Sequence, residues 1–216
     1  MVDDDEARTP EEMLALVRDQ QRSIEGQKGA FVPLILLSWG IAWLVGFGAL
    51  WLIDGLDGFA LPIAVAAPIF VVLLAGAGVV STVLGIRSTR GVRGGREDAF
   101  AGVIYGQLWW VGALAIFILG QGLVAGGMRS DVLGLFYPAA YLFFAGVMYV
   151  VGGIIWHAVP MLVLGAWSLV VAVLGPFAGR PALFLVYALA GGGGFLVVAV
   201  WSWIWTRRAR GRLRHG

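Results

Sequence analysis

Long apolar segments alternate with short polar ones along most of the chain. Six of the apolar segments contain no Asp, Glu, Lys or Arg, and each is long enough, at about 1.5 Å per residue in a helix, to cross a hydrocarbon core of ~30 Å. Because backbone groups in hydrocarbon must be hydrogen-bonded internally, such segments are helical. The pattern predicts an all-α polytopic membrane protein, a bundle of six transmembrane helices. We place the spans at residues 31–53, 59–86, 100–124, 132–151, 158–177 and 181–205.

The boundary between the fourth and fifth spans carries no charged residue to mark it. A single helix over residues 132–177 would be about 70 Å long, more than twice what a bilayer accepts. A turn is therefore required. The residues that favour one are Gly152-Gly153, Trp156-His157 and Pro160.

A short amphipathic helix is predicted before the first span. Thr9-Pro10-Glu11-Glu12 is typical of a helix start, with Thr9 as the N-cap, and the helix extends over about residues 10–25. Its apolar stripe includes Met13, Leu16 and Val17. This stripe is a candidate surface for a cytoplasmic partner or for lipid, or it caps the bundle. The chain thus divides into a cytoplasmic segment (1–29), a transmembrane domain (30–206) and a basic tail (207–216).

The distribution of basic residues predicts the orientation. Thirteen of the fifteen Lys and Arg residues lie in the N-terminal segment, the tail and the loop between spans two and three. Basic loops remain in the cytoplasm, so both termini are expected to be cytoplasmic, in a bacterial inner membrane. These arginines are expected to contact anionic lipids or a cytoplasmic partner. The candidate contacts are Arg87, Arg90, Arg93, Arg96, Arg207 and Arg208.

Composition agrees with this class and excludes others. The chain is 60% hydrophobic and 13% charged, with a mean hydropathy of +0.88, whereas about a quarter of the residues in a soluble domain are charged. A net charge of +2 that arises from one loop and one tail gives no support to nucleic-acid binding. The absence of cysteine excludes disulfides and thiolate metal sites.

The predicted spans lack the groups that catalysis or ion coupling usually needs. Ion-coupled carriers usually have an intramembrane carboxylate, and none is present here. Serines 38, 81, 168 and 202 have no partner base apart from His157, which lies in the predicted turn. We therefore expect no enzyme activity, no cofactor and no metal.

Tryptophans and glutamines inside the spans are the candidate ligand-binding residues. Tryptophan in membranes favours the interfaces, so its occurrence deep in a span indicates either an aromatic pocket or large side chains that fill space beside glycines. Buried glutamines form interhelical hydrogen bonds or line a polar pathway. The candidate pocket residues are Trp39, Trp43, Gln107, Trp109, Trp110, Gln121 and Trp167.

Four consecutive glycines, Gly191 to Gly194, lie in the middle of the sixth span. Each glycine costs a helix about 1 kcal/mol relative to alanine in water. The run therefore indicates either close contact between helices or a hinge.

Three stretches carry a resemblance to a known class. These are the acidic helix ending in Gln20-Gln21-Arg22, the segment Ser38-Trp39-Gly40-Ile41-Ala42-Trp43-Leu44-Val45-Gly46, and Tyr187-Ala188-Leu189-Ala190 followed by the four glycines. Together they resemble a family of small actinobacterial polytopic membrane proteins, transporter-like and of unknown function. An amphipathic helix before six spans is also more loosely similar to the permease subunits of ABC-2-type exporters.

Two functional hypotheses follow. In the first, the chain is a transport component, a permease-like or accessory subunit, whose energy comes from a cytoplasmic partner such as a nucleotide-binding subunit or a regulator. In the second, it is a membrane regulator or assembly anchor that recruits a partner and transports nothing. A homo-oligomer is compatible with both.

Overall fold

The computed structural model describes residues 10–89 and 96–212, and this part of the chain is helical with no β-strand. The described residues form seven α-helices, one 3-10 turn and one π-helical segment. The helices are α1 (Pro10–Trp51), α2 (Ile63–Thr89), α3 (Arg96–Ala125), α4 (Ser130–Ile155), α5 (Val159–Leu174), α6 (Ala182–Val186) and α7 (Gly193–Arg212). The 3-10 turn is Gly175–Ala178, and the π segment is Tyr187–Gly192.

Six helical stretches are long and apolar enough to cross a membrane, which confirms the predicted six-helix membrane fold. Helices of this length and composition imply contact with a lipid bilayer. The stretches are Phe31–Trp51, Ile63–Arg87, Phe100–Ala125, Ser130–Ile155, Val159–Ala178 and Ala182–Ile204.

The predicted N-terminal amphipathic helix and the first span form one continuous helix, α1, of 42 residues and about 63 Å. Pro33 lies inside it, close to the start of the span. Proline lacks an N–H donor, but membrane helices tolerate it where neighbouring groups satisfy the carbonyl that it leaves free. About 30 Å of α1, Pro10 to Ala30, precedes the apolar span. The predicted cap, Thr9, lies outside the described residues.

The turn between the fourth and fifth spans lies between Ile155 and Val159, within the region where the sequence predicted a turn. α4 ends with Trp156 as its C-cap, and α5 begins at Val159, with Pro160 in its first turn. His157 has a φ of 51°, in the left-handed region that helical residues avoid. This change of direction at His157 lets α5 return antiparallel to α4, and the two helices pack along their lengths.

The core lies among α1, α4, α5 and the sixth span, and α2 and α3 flank it. One buried cluster centres on Trp43, Phe47 and Tyr187, and a second on Leu164 and Phe195. Half of the most apolar part of the sixth span is buried, compared with 11% for α2 and 6% for α3. α2 packs mainly on α1, and α3 mainly on α4. The outer faces of α2 and α3 are therefore the surfaces that the bilayer or another chain would cover.

Candidate functional site

The π segment Tyr187–Gly192 interrupts the sixth span close to its middle. A π-helical turn is wider than an α-helical one and displaces backbone carbonyls from their usual partners, and such turns are frequent at functional sites. The segment takes in Gly191 and Gly192, the first half of the glycine run. The sequence signal of four glycines therefore corresponds to a local change of helix type at membrane depth.

Glycine at positions 192 and 40 lets the sixth span touch the backbone of α1. A Cβ on Gly192 would lie 2.6 Å from the Leu44 nitrogen and 3.0 Å from the Gly40 oxygen. A Cβ on Gly40 would in turn lie 3.1 Å from the Leu196 nitrogen. Real Cβ atoms essentially never approach other atoms to 2.6 Å and rarely to 3.1 Å, so a residue larger than glycine at position 192 would require these two helices to move apart.

Trp167 of α5 braces the π segment from the other side. Its indole Nε1 donates a hydrogen bond of 2.8 Å to the Ala190 carbonyl oxygen. Its ring lies against Gly194, where a Cβ would stand 2.7 Å from the ring atom Cδ1. The indole thus satisfies a carbonyl within the widened turn, and the glycine provides the space that the ring needs.

Trp43 of α1 lies against the same segment and carries an unsatisfied polar atom. The side chain is 7% exposed, its ring faces Gly191, and the rings of Phe47 and Phe195 lie 5.1 and 5.7 Å away between centroids. Its Nε1 is the one buried side-chain nitrogen or oxygen without a hydrogen-bond partner in the part of the chain that is described. A buried donor without a partner costs about 1–3 kcal/mol, so Trp43 is a candidate contact for a ligand with an acceptor group.

Trp39, one turn before Trp43, ties α1 to α2. Its Nε1 donates to the Ser81 hydroxyl oxygen at 2.8 Å. The ring also packs against both buried clusters. The Trp39 indole N–H therefore has a hydrogen-bond partner, whereas that of Trp43 has none among the described residues.

Trp109 of α3 is connected to this site through two aromatic residues. Its ring lies 5.8 Å from that of Tyr149, which lies 5.6 Å from Phe195. Phe195 in turn contacts Trp43. Trp109 thus belongs to the packed aromatic interior and does not touch the π segment itself.

The remaining candidates lie outside the site. Trp110 is 76% exposed, and Gln107 is exposed on the same helix. Gln121 donates to the Tyr137 hydroxyl at 2.9 Å, an interhelical bond of the kind that the sequence analysis allowed for. The seven candidates therefore do not line one cavity. Trp43 and Trp167 contact the π segment, and Trp39 and Trp109 pack in the aromatic interior. The other three, Gln107, Trp110 and Gln121, lie elsewhere.

An apolar cleft of about 680 Å³ opens at the side of α4, between α3 and α5. Sequence reasoning missed it, because every lining side chain is an ordinary apolar one, drawn from three helices and the turns beside them. It can accept an apolar group and offers no side chain for hydrogen bonding. The lining residues are Ile116, Met128, Val132, Leu135, Phe136, Ala139, Ala140, Phe143, Phe144, Val147, Ala172 and Pro176.

The predicted partner and lipid contacts are described only in part. Met13, on α1, is 58% exposed, and Arg87 is exposed near the end of α2. Arg90 and Arg93 lie outside the described residues. The helical backbone is described at four other positions, but their side chains are not. These positions are Leu16, Val17, Arg207 and Arg208. The same holds for Arg96, the first residue of α3.

No family model, characterised protein or solved structure matches the chain. Among the described residues, no group of three His, Cys, Asp or Glu side chains could hold a metal ion. The π segment, with the tryptophans that surround it, is the most distinctive feature of the interior.

We expect Trp167→Phe to loosen the π segment, because phenylalanine keeps a ring but loses the donor to Ala190. An interhelical hydrogen bond in a membrane is worth about 0.6–2 kcal/mol, so the thermal unfolding midpoint in mild detergent should fall by a few degrees. Trp201→Phe is the matched control. Trp201 is 43% exposed, against 44% for Trp167, and no hydrogen bond of its side chain is seen in the described structure. Equal midpoints for the two variants would contradict the bracing role.

Proposed function

We propose that the protein is a transport component of a bacterial cytoplasmic membrane, with both termini in the cytoplasm. The observation that carries this proposal is the π segment at mid-membrane in the most buried span, packed backbone to backbone on α1. A widened turn is a point where a helix can change its direction, and interrupted helices at the membrane midplane form the binding sites of many transporters. The Trp43 N–H, buried beside that turn with no hydrogen-bond partner in the described part of the chain, is the group we assign to substrate contact.

α1 provides a mechanical connection between this site and the cytoplasm. The helix is unbroken from Pro10 to Trp51. Gly40 and Leu44, about 30 residues after the start of α1, contact the sixth span. A partner that displaces the outer part of α1 therefore also displaces a helix in contact with the π segment. The predicted spans hold no charged residue for ion coupling, which favours energy supplied from outside the chain by a nucleotide-binding subunit or a regulator.

We also propose that the chain has no catalytic site of its own. Two of the intramembrane serines are already engaged: the Ser38 hydroxyl donates to the Ile35 carbonyl at 2.8 Å, and the Ser81 hydroxyl oxygen accepts from Trp39. Neither is hydrogen-bonded to a base, which a nucleophilic serine needs. The basic loop and tail, including Arg87 and Arg207, would then serve anionic lipids or the partner.

The second candidate function is a regulator or assembly anchor that transports nothing. The observation that favours it is the packing of Trp39 and Trp43 into the buried clusters, as expected of a bundle whose only task is to be rigid. In that case the outer part of α1 does the work, and a bound partner would not be a transport subunit.

The experiment is purification of the tagged full-length protein from its native membranes in mild detergent, with mass spectrometry of bound proteins. We expect a stoichiometric partner, and its loss, by at least tenfold, in the triple variant Met13→Glu, Leu16→Glu, Val17→Glu. A charged face cannot dock on an apolar groove. The conservative triple Met13→Leu, Leu16→Met, Val17→Ile is the control and should retain the partner.

The outcomes separate the proposals. A nucleotide-binding partner that the charged triple loses supports the transport component, and a partner of another class supports the regulator. A chain that purifies alone, or a partner that the charged triple retains, overturns docking on α1. Membrane insertion of each variant is checked by its recovery in the membrane fraction.

A further inference from the structure

The outer face of α3 carries a regular seam of exposed residues. They recur at alternating intervals of four and three, the spacing of a coiled-coil interface with a repeat of 3.5 residues. Only 6% of the most apolar part of α3 is buried, the lowest value of the six spans, so the described residues leave most of this face uncovered, apart from contacts of Phe117 and Gln121 with Tyr137 of α4. The α3 seam consists of Val103, Gln107, Trp110, Leu114, Phe117 and Gln121, all of them exposed.

Gln107 is the residue on this seam that requires a partner. It lies seven residues inside the span that begins at Phe100, about 10 Å along the helix, and therefore at hydrocarbon depth. Its amide makes no hydrogen bond to any described residue, whereas Gln121, two heptads further on, bonds to Tyr137 of α4. Acyl chains cannot accept or donate hydrogen bonds, so lipid would leave the Gln107 amide unsatisfied.

We propose that α3 pairs with α3 of a second copy along the α3 seam, with the two Gln107 amides hydrogen-bonded to each other. An amide is both donor and acceptor, so two copies related by a twofold axis satisfy one another. All copies insert in the same orientation, which sets that axis along the membrane normal and brings identical residues to the same depth. The 3.5-residue repeat is the one that parallel, left-handed pairs use, and one polar residue in such a seam fixes its register.

The neighbours of Gln107 suit such a pair. Trp110 is 76% exposed near the middle of the span, where tryptophan is unusual. In a helix, a side chain covers the turn that precedes its own Cα, so the indole of Trp110 lies at about the level of Gly106. No described atom lies within 4 Å of a Cβ built on Gly106, which leaves a recess that the partner's Trp110 can fill.

Cysteine cross-linking tests this geometry directly, because the chain has no cysteine of its own. Val103→Cys and Leu114→Cys lie on the seam, at 62% and 59% exposure in the single chain. Leu108→Cys and Leu119→Cys are the controls, exposed at 45% and 56% but on a different side of α3. Oxidation of the full-length protein in native membranes should give disulfide-linked dimers at the seam positions, at least fivefold more than at the controls. Equal cross-linking at all four, or none at the seam, overturns the pairing.

Replacement of Gln107 distinguishes a specific dimer from non-specific association of apolar surfaces. Gln107→Leu should raise the dissociation constant of the dimer about tenfold, within the range of an interhelical hydrogen bond in a membrane. Gln107→Asn, which keeps an amide, should dimerise more tightly than Gln107→Leu. Thr82→Val is the control, since Thr82 lies on α2, away from the seam, and its hydroxyl donates to the Gly78 carbonyl at 2.9 Å within its own helix; this variant should stay within about twofold of the parent. A Gln107→Leu protein that dimerises like the parent overturns the role of the amide. Neither result depends on the transport proposal.

Discussion

Gly192→Ala should destabilise the bundle more than any other glycine-to-alanine substitution in the sixth span. The new Cβ would meet the Leu44 nitrogen at 2.6 Å and the Gly40 oxygen at 3.0 Å. Both are backbone atoms, so no side chain can rotate away, and α1 and the sixth span must separate. Overpacking of this kind costs about 1–3 kcal/mol or more. We expect a fall of several degrees in the unfolding midpoint in mild detergent and a lower yield of monodisperse protein.

Gly193→Ala is the control, one residue along the same glycine run. No described atom lies within 4 Å of a Cβ at that position, and alanine is favoured over glycine in a helix by about 1 kcal/mol in water. This variant should therefore be as stable as the parent or slightly more so. Similar losses in the two variants would contradict the backbone contact. If the π segment works as a hinge, Gly193→Ala should also reduce function without loss of stability, because it stiffens the next turn.

The number of spans could be predicted because hydropathy and length act locally. The bilayer thickness alone demanded a turn between residues 152 and 160, and the chain does reverse at His157. The continuity of α1 could not be predicted in this way. The composition changes near Ala30 from amphipathic to apolar, but nothing there ends a helix, so the chain crosses from water into the membrane without a break.

The arrangement of the spans, and therefore the site, could not be predicted, because a helix in a bilayer lacks the amphipathic pattern that identifies the buried face of a helix in water. In a bilayer the core face and the lipid face are both apolar, and burial leaves no amphipathic pattern. Trp109 and Trp110 are adjacent in sequence, yet one packs against Tyr149 and the other is 76% exposed. Gln107 and Gln121 share one face of α3, yet among the described residues Gln121 has a hydrogen-bond partner and Gln107 has none.

The glycine run was the sequence signal that led most directly to the site. It indicated contact or a hinge, and the structure has the contact at Gly192 and a π segment over Gly191 and Gly192. Where the π turn falls depends on Trp167 of α5, whose donor reaches the Ala190 carbonyl from 23 residues away. A contact that distant in sequence has no local pattern.

Trp43→Ala should be the most destabilising replacement of a tryptophan in the described interior, because it removes a side chain that is only 7% exposed and leaves a cavity among Phe47 and Phe195. Cavities of this size cost about 3–5 kcal/mol. Trp110→Ala is the matched control. Trp110 is 76% exposed, so its loss should leave the unfolding midpoint near that of the parent and weaken only the pairing of α3.

Trp43→Phe then separates space filling from ligand contact. Phenylalanine keeps most of the packing and removes the Nε1 donor, which lacks a partner among the described residues. Its stability should therefore lie much closer to the parent than that of Trp43→Ala, since the lost volume is partly offset by the removal of an unsatisfied donor. A stable Trp43→Phe protein with impaired function would assign the indole N–H to a ligand. A stable and fully functional one would limit Trp43 to packing, and would favour the anchor over the transport component.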